Sequence, residues 1–167
     1  MYELARQILS NCSETLVSMD LGSVTSTPCP EKACEFLKEV LSLEMEQLEN
    51  LSLSRNLTLT KDYLQDIVQI IEESSYFMYL KELSLPIADT APDEDVQFIL
   101  DFFINKTGHI ERCGLACDGL WMDQKHLLVY KFDSRVNMIL EALFMKKQEK
   151  GTTHLDYKAP IEDESQL

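Results

Sequence analysis

The residues best suited to chemistry are His109, Cys113 and Cys117, which follow one another at four-residue steps. Imidazole nitrogens and cysteine thiolates are preferred zinc ligands, and four-residue steps would place all three on one face of a helix. A fourth ligand would come from Cys29, Cys34, Asp118 or His126. The spacing differs from the paired knuckles of structural zinc sites, and cysteine commonly packs as a small hydrophobe. We therefore expect these residues to pack in the core or in an interface, with a structural zinc site as the alternative.

No catalytic motif accompanies these residues. The sequence has no glycine-rich phosphate loop, no Gly-x-Ser-x-Gly elbow and no His-Glu-x-x-His pair. Four residues separate Cys29 from Cys34, whereas redox-active pairs are separated by two. The sequence therefore predicts a protein that is not an enzyme and that carries no cofactor.

Length and composition indicate an ordinary globular chain. It has 167 residues, of which 45% are hydrophobic and 26% are charged, enough for one domain with a substantial core. The formal net charge is −14. Nucleic-acid affinity depends on basic groups that neutralise phosphates, and anionic membranes recruit polybasic segments. Nucleic acid is therefore not expected as the main ligand, and no membrane is expected as a partner.

The charge is distributed unevenly along the chain. Residues 61–101 contain 10 acidic and 2 basic residues, whereas residues 123–150 contain 6 basic and 4 acidic ones. Charge complementarity speeds association between proteins, and aromatic residues with arginine are common at binding hot spots. We predict two partner-binding surfaces. The acidic surface consists of Asp62, Asp66, Glu72 and Glu73, and the aromatic-basic surface consists of Trp121, Lys125, Tyr130, Lys131 and Arg135.

Two features disagree about the compartment. Five cysteines cannot all pair within one chain, and the first residues are not those of a signal peptide, which predicts the cytoplasm or nucleus. Four of the five asparagines begin an Asn-x-Ser/Thr triplet, the acceptor sequence for N-glycans in secreted proteins: Asn11, Asn50, Asn56 and Asn105. A secreted, glycosylated helical-bundle signalling protein is therefore the alternative.

Apolar residues recur at three- and four-residue spacing along most of the chain, which is typical of helices. In the first helix this spacing directs Leu4 and Ile8 inward. The expected helices cover residues 2–20, a segment that begins at Pro30, and residues 61–83, 92–106, 109–117 and 133–151.

Two stretches resemble strands. Residues 51–59 alternate polar and apolar side chains, and residues 126–132 are rich in β-branched and aromatic types. An isolated strand has no partner for its backbone, so the first stretch is predicted to be a connector and the second a helix. No internal repeat of fixed length is evident.

These observations predict an all-α fold, either an irregular helical bundle or a short α-solenoid fragment of about six helices. Residues 1–151 would form one domain, and residues 152–167 an extended acidic tail. The expected function is that of an adaptor or scaffold segment that binds other proteins through helix faces. A hetero-complex and a homodimer are both compatible with this interpretation.

Overall fold

The described part of the chain alternates helices with short strands. The computed structural model describes residues 2–21, 30–53, 61–86, 91–115, 120–123 and 128–130, together with Ala142 and Met145. The helices of eight or more residues are α1 (Tyr2–Cys12), α2 (Pro30–Leu41), α3 (Lys61–Glu73) and α4 (Asp93–Lys106). The strands are β1 (Ser18–Asp20), β2 (Asn50–Ser52), β3 (Glu82–Leu85), β4 (Arg112–Leu115), β5 (Leu120–Asp123) and β6 (Leu128–Tyr130). Single 3₁₀ turns follow α1 and α3 at Ser13–Thr15 and Phe77–Tyr79.

The six strands form one sheet in which spatial order equals chain order. Strands β1 to β4 are parallel, and each parallel step crosses back through a helix. Strands β5 and β6 continue the sheet in antiparallel pairing. Parallel pairing requires such crossovers because the chain must return to the same end of the sheet.

The all-α prediction is therefore wrong, and the fold is α/β. The helix expected over 109–117 is replaced in part by β4, and residues 18–20 and 82–83 leave their expected helices for β1 and β3. The stretches at 51–59 and 126–132 contribute residues to β2 and β6. Both segments have partner strands in the sheet. The partners of β2 lie about thirty positions away in the sequence.

The chain does contain a repeat, contrary to the sequence interpretation. Ser18, Asn50 and Glu82 occupy equivalent register positions at intervals of 32 residues, and Arg112 follows 30 residues later. Each of the parallel strands β1 to β4 lies within the same pattern. It consists of one apolar residue, two variable residues, a second apolar residue, one variable residue and a third apolar residue. The apolar positions are 16, 19 and 21; 48, 51 and 53; 80, 83 and 85; and 110, 113 and 115. One repeat is thus a helix, a connection and a strand.

The core lies between the sheet and the helices. The middle register position of β1 to β4 is occupied by Met19, Leu51, Leu83 and Cys113, and all four are buried. The inward faces of the helices cover this row with buried apolar side chains, including Phe36 and Leu37 of α2, Ile67 and Ile71 of α3, and Ile99 and Phe103 of α4. Each helix contributes one apolar stripe, as expected for a helix that packs on a sheet.

Several predictions lie partly outside the described residues. The helix over 133–151 is represented by Ala142 and Met145, both helical, and the tail over 152–167 is not among the described residues. Among the residues that are described, no helix has the length and hydropathy needed to cross a membrane.

A buried tyrosine ties the third repeat to the second. The hydroxyl of Tyr76 donates a 2.9 Å hydrogen bond to the carbonyl oxygen of Leu41, the last residue of α2. Carbonyls in the last turn of a helix lack intrahelical partners, and Tyr76 supplies one here. Its ring is fully buried in the core cluster.

We expect Tyr76→Phe to lower the free energy of unfolding by about 1–3 kcal/mol, since it leaves a buried carbonyl without this partner. Urea denaturation of the purified chain measures the change. Tyr79→Phe is the matched control, because Tyr79 is 60% exposed and three residues away. Equal stability losses in the two variants would contradict the assignment.

Stability should also depend on alkaline pH through Tyr76. Burial raises the pKa of the Tyr76 phenol well above its usual range, so the unfolded chain loses this proton near pH 10 while the folded chain retains it. The contribution of the protonated Tyr76 phenol to the free energy of unfolding is fully present below pH 10. It falls by up to about 1.4 kcal/mol per pH unit as the pH rises above that point. The difference in unfolding free energy between the wild type and Tyr76→Phe should therefore shrink between about pH 10 and pH 11. A constant difference would exclude this role.

Candidate partner-binding surface

Helices α1 to α4 pack against one face of the sheet, and the opposite face is the outer sheet face. The residues directly before and after each buried middle-row residue form two rows on this outer sheet face. The first row is Ser18, Asn50, Glu82 and Arg112, and the second row is Asp20, Ser52, Ser84 and Gly114. Alternation along a strand sends neighbouring side chains to opposite faces, which explains why every member of both rows is polar or glycine.

Exposure decreases along the second row. Asp20 is exposed, Ser52 is half-buried and Ser84 is 5% exposed. Gly114 is also buried. The row is therefore open at β1 and covered at β4, and its side chains are small throughout.

The charged residues of the first row are paired between neighbouring repeats. A guanidinium nitrogen of Arg112 lies 3.0 Å from a carboxylate oxygen of Glu82 in the first row. Just before the strands, the Lys81 ammonium lies 2.8 Å from the Glu49 carboxylate, and this hydrogen bond raises the pKa of Lys81. These contacts join the second repeat to the third and the third to the fourth. Since Asp20 in the second row adds a further carboxylate, the resulting surface is polar and weakly acidic.

Two members of the aromatic-basic surface occupy register positions that continue the second row into β5 and β6. Trp121 of β5 is the backbone partner of Gly114, and Tyr130 of β6 is the backbone partner of Trp121. The backbones of these two aromatic residues are therefore paired side by side in the sheet. The other three members, Lys125, Lys131 and Arg135, lie outside the described residues.

The acidic surface lies on α3, and half of it is already used within the molecule. Asp66 pairs with Lys38 of α2, and a carboxylate oxygen of Glu72 lies 2.8 Å from the Lys106 ammonium at the end of α4. Asp62 and Glu73 are exposed at the two ends of the helix.

Similar ion pairs connect the other helices. Arg6 of α1 pairs with Glu39 of α2, and Lys61 of α3 pairs with Glu94 of α4 at 3.2 Å. Exposed pairs of this kind contribute little to stability, at most about 1 kcal/mol each. Because an ion pair joins each helix to the next, several acidic residues on the helices are already engaged in contacts between repeats.

The candidate zinc ligands do not share a helix face. The ring of His109 donates from Nε2 to the carbonyl oxygen of Phe77 at 2.8 Å, and the two rings meet edge to face with centroids 4.9 Å apart. Cys113 lies in β4, fully buried, with its sulfur 3.2 Å from the Thr107 hydroxyl. Cys117 is outside the described residues. In the part of the chain that is described, no group of three His, Cys, Asp or Glu residues is gathered as a metal site would require.

Three of the four predicted glycosylation positions are described. Asn11 and Asn105 are exposed near the ends of α1 and α4. Asn50 is half-buried in the first row of the outer sheet face, so a glycan there would cover that face. Asn56 lies outside the described residues.

The sequence interpretation missed Ser18, Ser52 and Arg112 as surface-forming residues and named Asn50 only as a glycosylation position. A signal was available, because each occupies a variable position between apolar residues that recur at intervals of 30 to 32 residues. Without the repeat, these residues looked like ordinary polar positions.

Comparison with known proteins gives no further assignment. No protein-family model matches the sequence, and neither the curated proteins nor the solved structures contain a significant match.

Thiol reactivity should separate the described cysteines. Cys34 and Cys113 are buried, and burial raises the pKa of the Cys34 thiol, whereas Cys12 is only half-buried. Thiolates are the reactive species. We expect alkylation of the native protein, mapped by peptide mass spectrometry, to modify Cys12 and to spare Cys34 and Cys113 until denaturant is added. Rapid labelling of Cys113 in the native state would contradict its place in the core.

Proposed function

We propose that this chain is a protein-interaction module that binds a segment of a partner protein on the outer sheet face. The observation that carries the proposal is the alignment of two polar rows across β1 to β4, with exposed Ser18 and Asp20 and half-buried Asn50 and Ser52 at their accessible end. Repeat proteins use such extended surfaces for binding, because each repeat adds side chains at equivalent positions.

The strand pattern supports this assignment. Leu48, Leu51 and Leu53, followed by Asn56, match the spacing Leu-x-x-Leu-x-Leu-x-x-Asn of leucine-rich repeats, in which a strand from each repeat lines one face. The other repeats keep the three apolar positions without the asparagine, and the intervals of 30 and 32 residues exceed the usual repeat length of about 20–29. The chain therefore resembles that class in pattern and departs from it in length.

The chemistry of the face fits a polypeptide better than a polyanion. The basic residue of its first row, Arg112, is paired with Glu82, the nearby Lys81 is paired with Glu49, and the whole chain carries a net charge of −14. Hydroxyl and amide groups at Ser18, Asn50 and Ser52 offer both hydrogen-bond donors and acceptors, which a partner's backbone and polar side chains require.

The proposed site lies on the outer sheet face and not on the helix faces. The acidic surface retains Asp62 and Glu73 as exposed carboxylates, but Asp66 and Glu72 are engaged with lysines of neighbouring helices. A basic partner would have to compete with these pairs at α3.

We also propose a cytoplasmic or nuclear location. Cys12 and Cys34 are free thiols, and a buried free thiol such as that of Cys34 is typical of reducing compartments. The glycosylated alternative predicts a carbohydrate on Asn50, Asn56 or Asn105, and only a carbohydrate on Asn50 would block the proposed surface.

Arginine substitutions at exposed positions test the proposed face. Ser18→Arg with Asn50→Arg adds two bulky cations to the first row, whereas Gln65→Arg with Gln97→Arg adds the same charge to exposed positions on α3 and α4. Partners captured by the immobilised wild type are identified by mass spectrometry and then titrated in purified form. The sheet-face variant should weaken binding about tenfold or more, as expected for a change in the centre of an interface.

The helix-face variant should bind within about twofold of the wild type, which is the normal range for positions outside an interface. Circular dichroism and the melting temperature establish that both variants are folded. If the helix-face variant loses binding and the sheet-face variant retains it, the partner docks on the helices and the proposed site is wrong.

A further inference from the structure

Strand β1 forms one edge of the sheet. Among the described strands, it comes first in sheet order and pairs only with β2. The Val17 carbonyl accepts a hydrogen bond from the Asn50 amide at 3.1 Å, and the Leu21 amide donates to the Ser52 carbonyl at 3.0 Å. Backbone groups of successive residues alternate between the two edges of a strand. The N–H and C=O of Ser18 therefore point away from β2.

The backbone of Ser18 is accessible at this edge. Ser18 is exposed, and Val17 before it is 45% exposed. No hydrogen bond to another described residue engages the N–H or the C=O of Ser18. Many natural sheet edges are protected by lysine or proline, and β1 consists of serine, methionine and aspartate. The edge therefore offers one main-chain donor and one main-chain acceptor to another strand.

The charge around this edge indicates the chemistry of the segment that would pair there. Residues 7–31 contain three acidic residues, Glu14, Asp20 and Glu31, and no lysine or arginine. Glu14 and Asp20 are exposed, and they lie just before β1 and within it. Opposite charges across a contact speed association, and like charges suppress it. A basic segment is therefore favoured over a second copy of the chain, which would bring the same carboxylates together.

Helix α1 leaves apolar side chains exposed at the same end of the fold. Leu4 is 63% exposed and Ile8 is 56% exposed, so the prediction that both face inward is wrong. Each lies two residues from Arg6, which pairs with Glu39 of α2, and this spacing places them on the side of α1 opposite to α2. Three other residues of α1 pack against the core instead: Tyr2, Ala5 and Leu9.

We propose that the free edge of β1 binds an extended basic segment of the partner protein, which pairs with β1 as an additional strand. The proposal rests on the proposed interaction function, and it names the chemistry of the segment and the way in which it is held. A peptide that joins a sheet edge gains main-chain hydrogen bonds, and its alternate side chains give specificity. Ser18 supplies the donor and the acceptor for these bonds.

The side chains of the added strand alternate between the two faces of the sheet. One set extends the two polar rows of the outer sheet face beyond Ser18 and Asp20, and basic residues in this set lie beside the acidic edge. The other set extends the inner row beyond Met19, on the helix side of the sheet, where Leu4 and Ile8 are exposed. Because β1 has three residues, main-chain bonds are few, and both sets of side chains are needed for affinity.

Hydrogen exchange followed by NMR tests the pairing at single amides. The probe is a synthetic peptide of about six residues that alternates lysine and valine, and its control alternates glutamate and valine. With the lysine peptide at about 1 mM, exchange of the Ser18 amide should slow about tenfold or more, because the amide becomes hydrogen-bonded. The Met19 amide is the internal control, since it faces β2 already in the free chain and should change little.

A proline substitution removes the proposed donor and leaves the pairing with β2 intact. Ser18 is the first residue of an edge strand, a position at which proline is tolerated. Ser18→Pro should weaken binding of the lysine peptide about tenfold. Ser18→Ala is the matched control, because it lacks the hydroxyl and keeps the N–H, and it should bind within about twofold of the wild type. Circular dichroism establishes that both variants are folded, and the exchange of the wild-type Ser18 amide decides if the proline variant is not.

Several outcomes would overturn the proposal. They are unchanged Ser18 exchange with the lysine peptide, equal protection by the glutamate peptide, and equal binding by the proline and alanine variants. Chemical-shift changes at Asn50 and Ser52 without protection of Ser18 would exclude pairing at the edge and leave the outer sheet face as the binding site. Changes confined to α3 and α4 would contradict the proposed function as well. Protection of Ser18 in the free chain, with a mass that rises toward twice 19.2 kDa, would identify a second copy as the occupant and contradict a basic partner.

Discussion

The fold depends on the burial of one apolar row that no single repeat can bury alone. Strands of three or four residues are too short to be stable by themselves, and each supplies only one side chain to the row of Met19, Leu51, Leu83 and Cys113. The row becomes continuous when neighbouring strands pair and when each helix covers the sheet. The ion pairs between helices, the Tyr76 hydrogen bond and the polar outer rows are arranged around this layer. Removing one repeat would expose the apolar flanks of its two neighbours.

The helices were predictable because their signals are local. The expected starts at Pro30 and Lys61 match α2 and α3, and the expected range 92–106 differs from α4 by one residue at its beginning. Helical spacing and terminal residues act within a few positions of one another. The inward stripes of α2 and α3 were also predictable for this reason. For example, Leu37 and Ile67 are fully buried.

The strands were not predictable in the same way, because parallel partners lie far apart in the sequence. Leu80 and Leu83 are three residues apart, which is also a helical spacing, and only the step from Leu83 to Leu85 indicates a strand. Rejecting isolated strands is sound for hairpins but fails when the partner is 32 residues away. The outer sheet face was hidden by the same error, since its polar residues acquire meaning only once the strands are aligned. Trp121 and Tyr130 were chosen for their residue types, and the register then placed them together.

The equality of chain order and sheet order has a mechanical consequence. Because each described strand pairs only with strands adjacent in sequence, a force applied to one end of the sheet acts on the terminal repeat before it reaches the others. Such an assembly yields by peeling, one layer after another, rather than by shearing all strands together. Each released layer of 32 residues between equivalent strand positions would lengthen the chain by about 110 Å when fully extended.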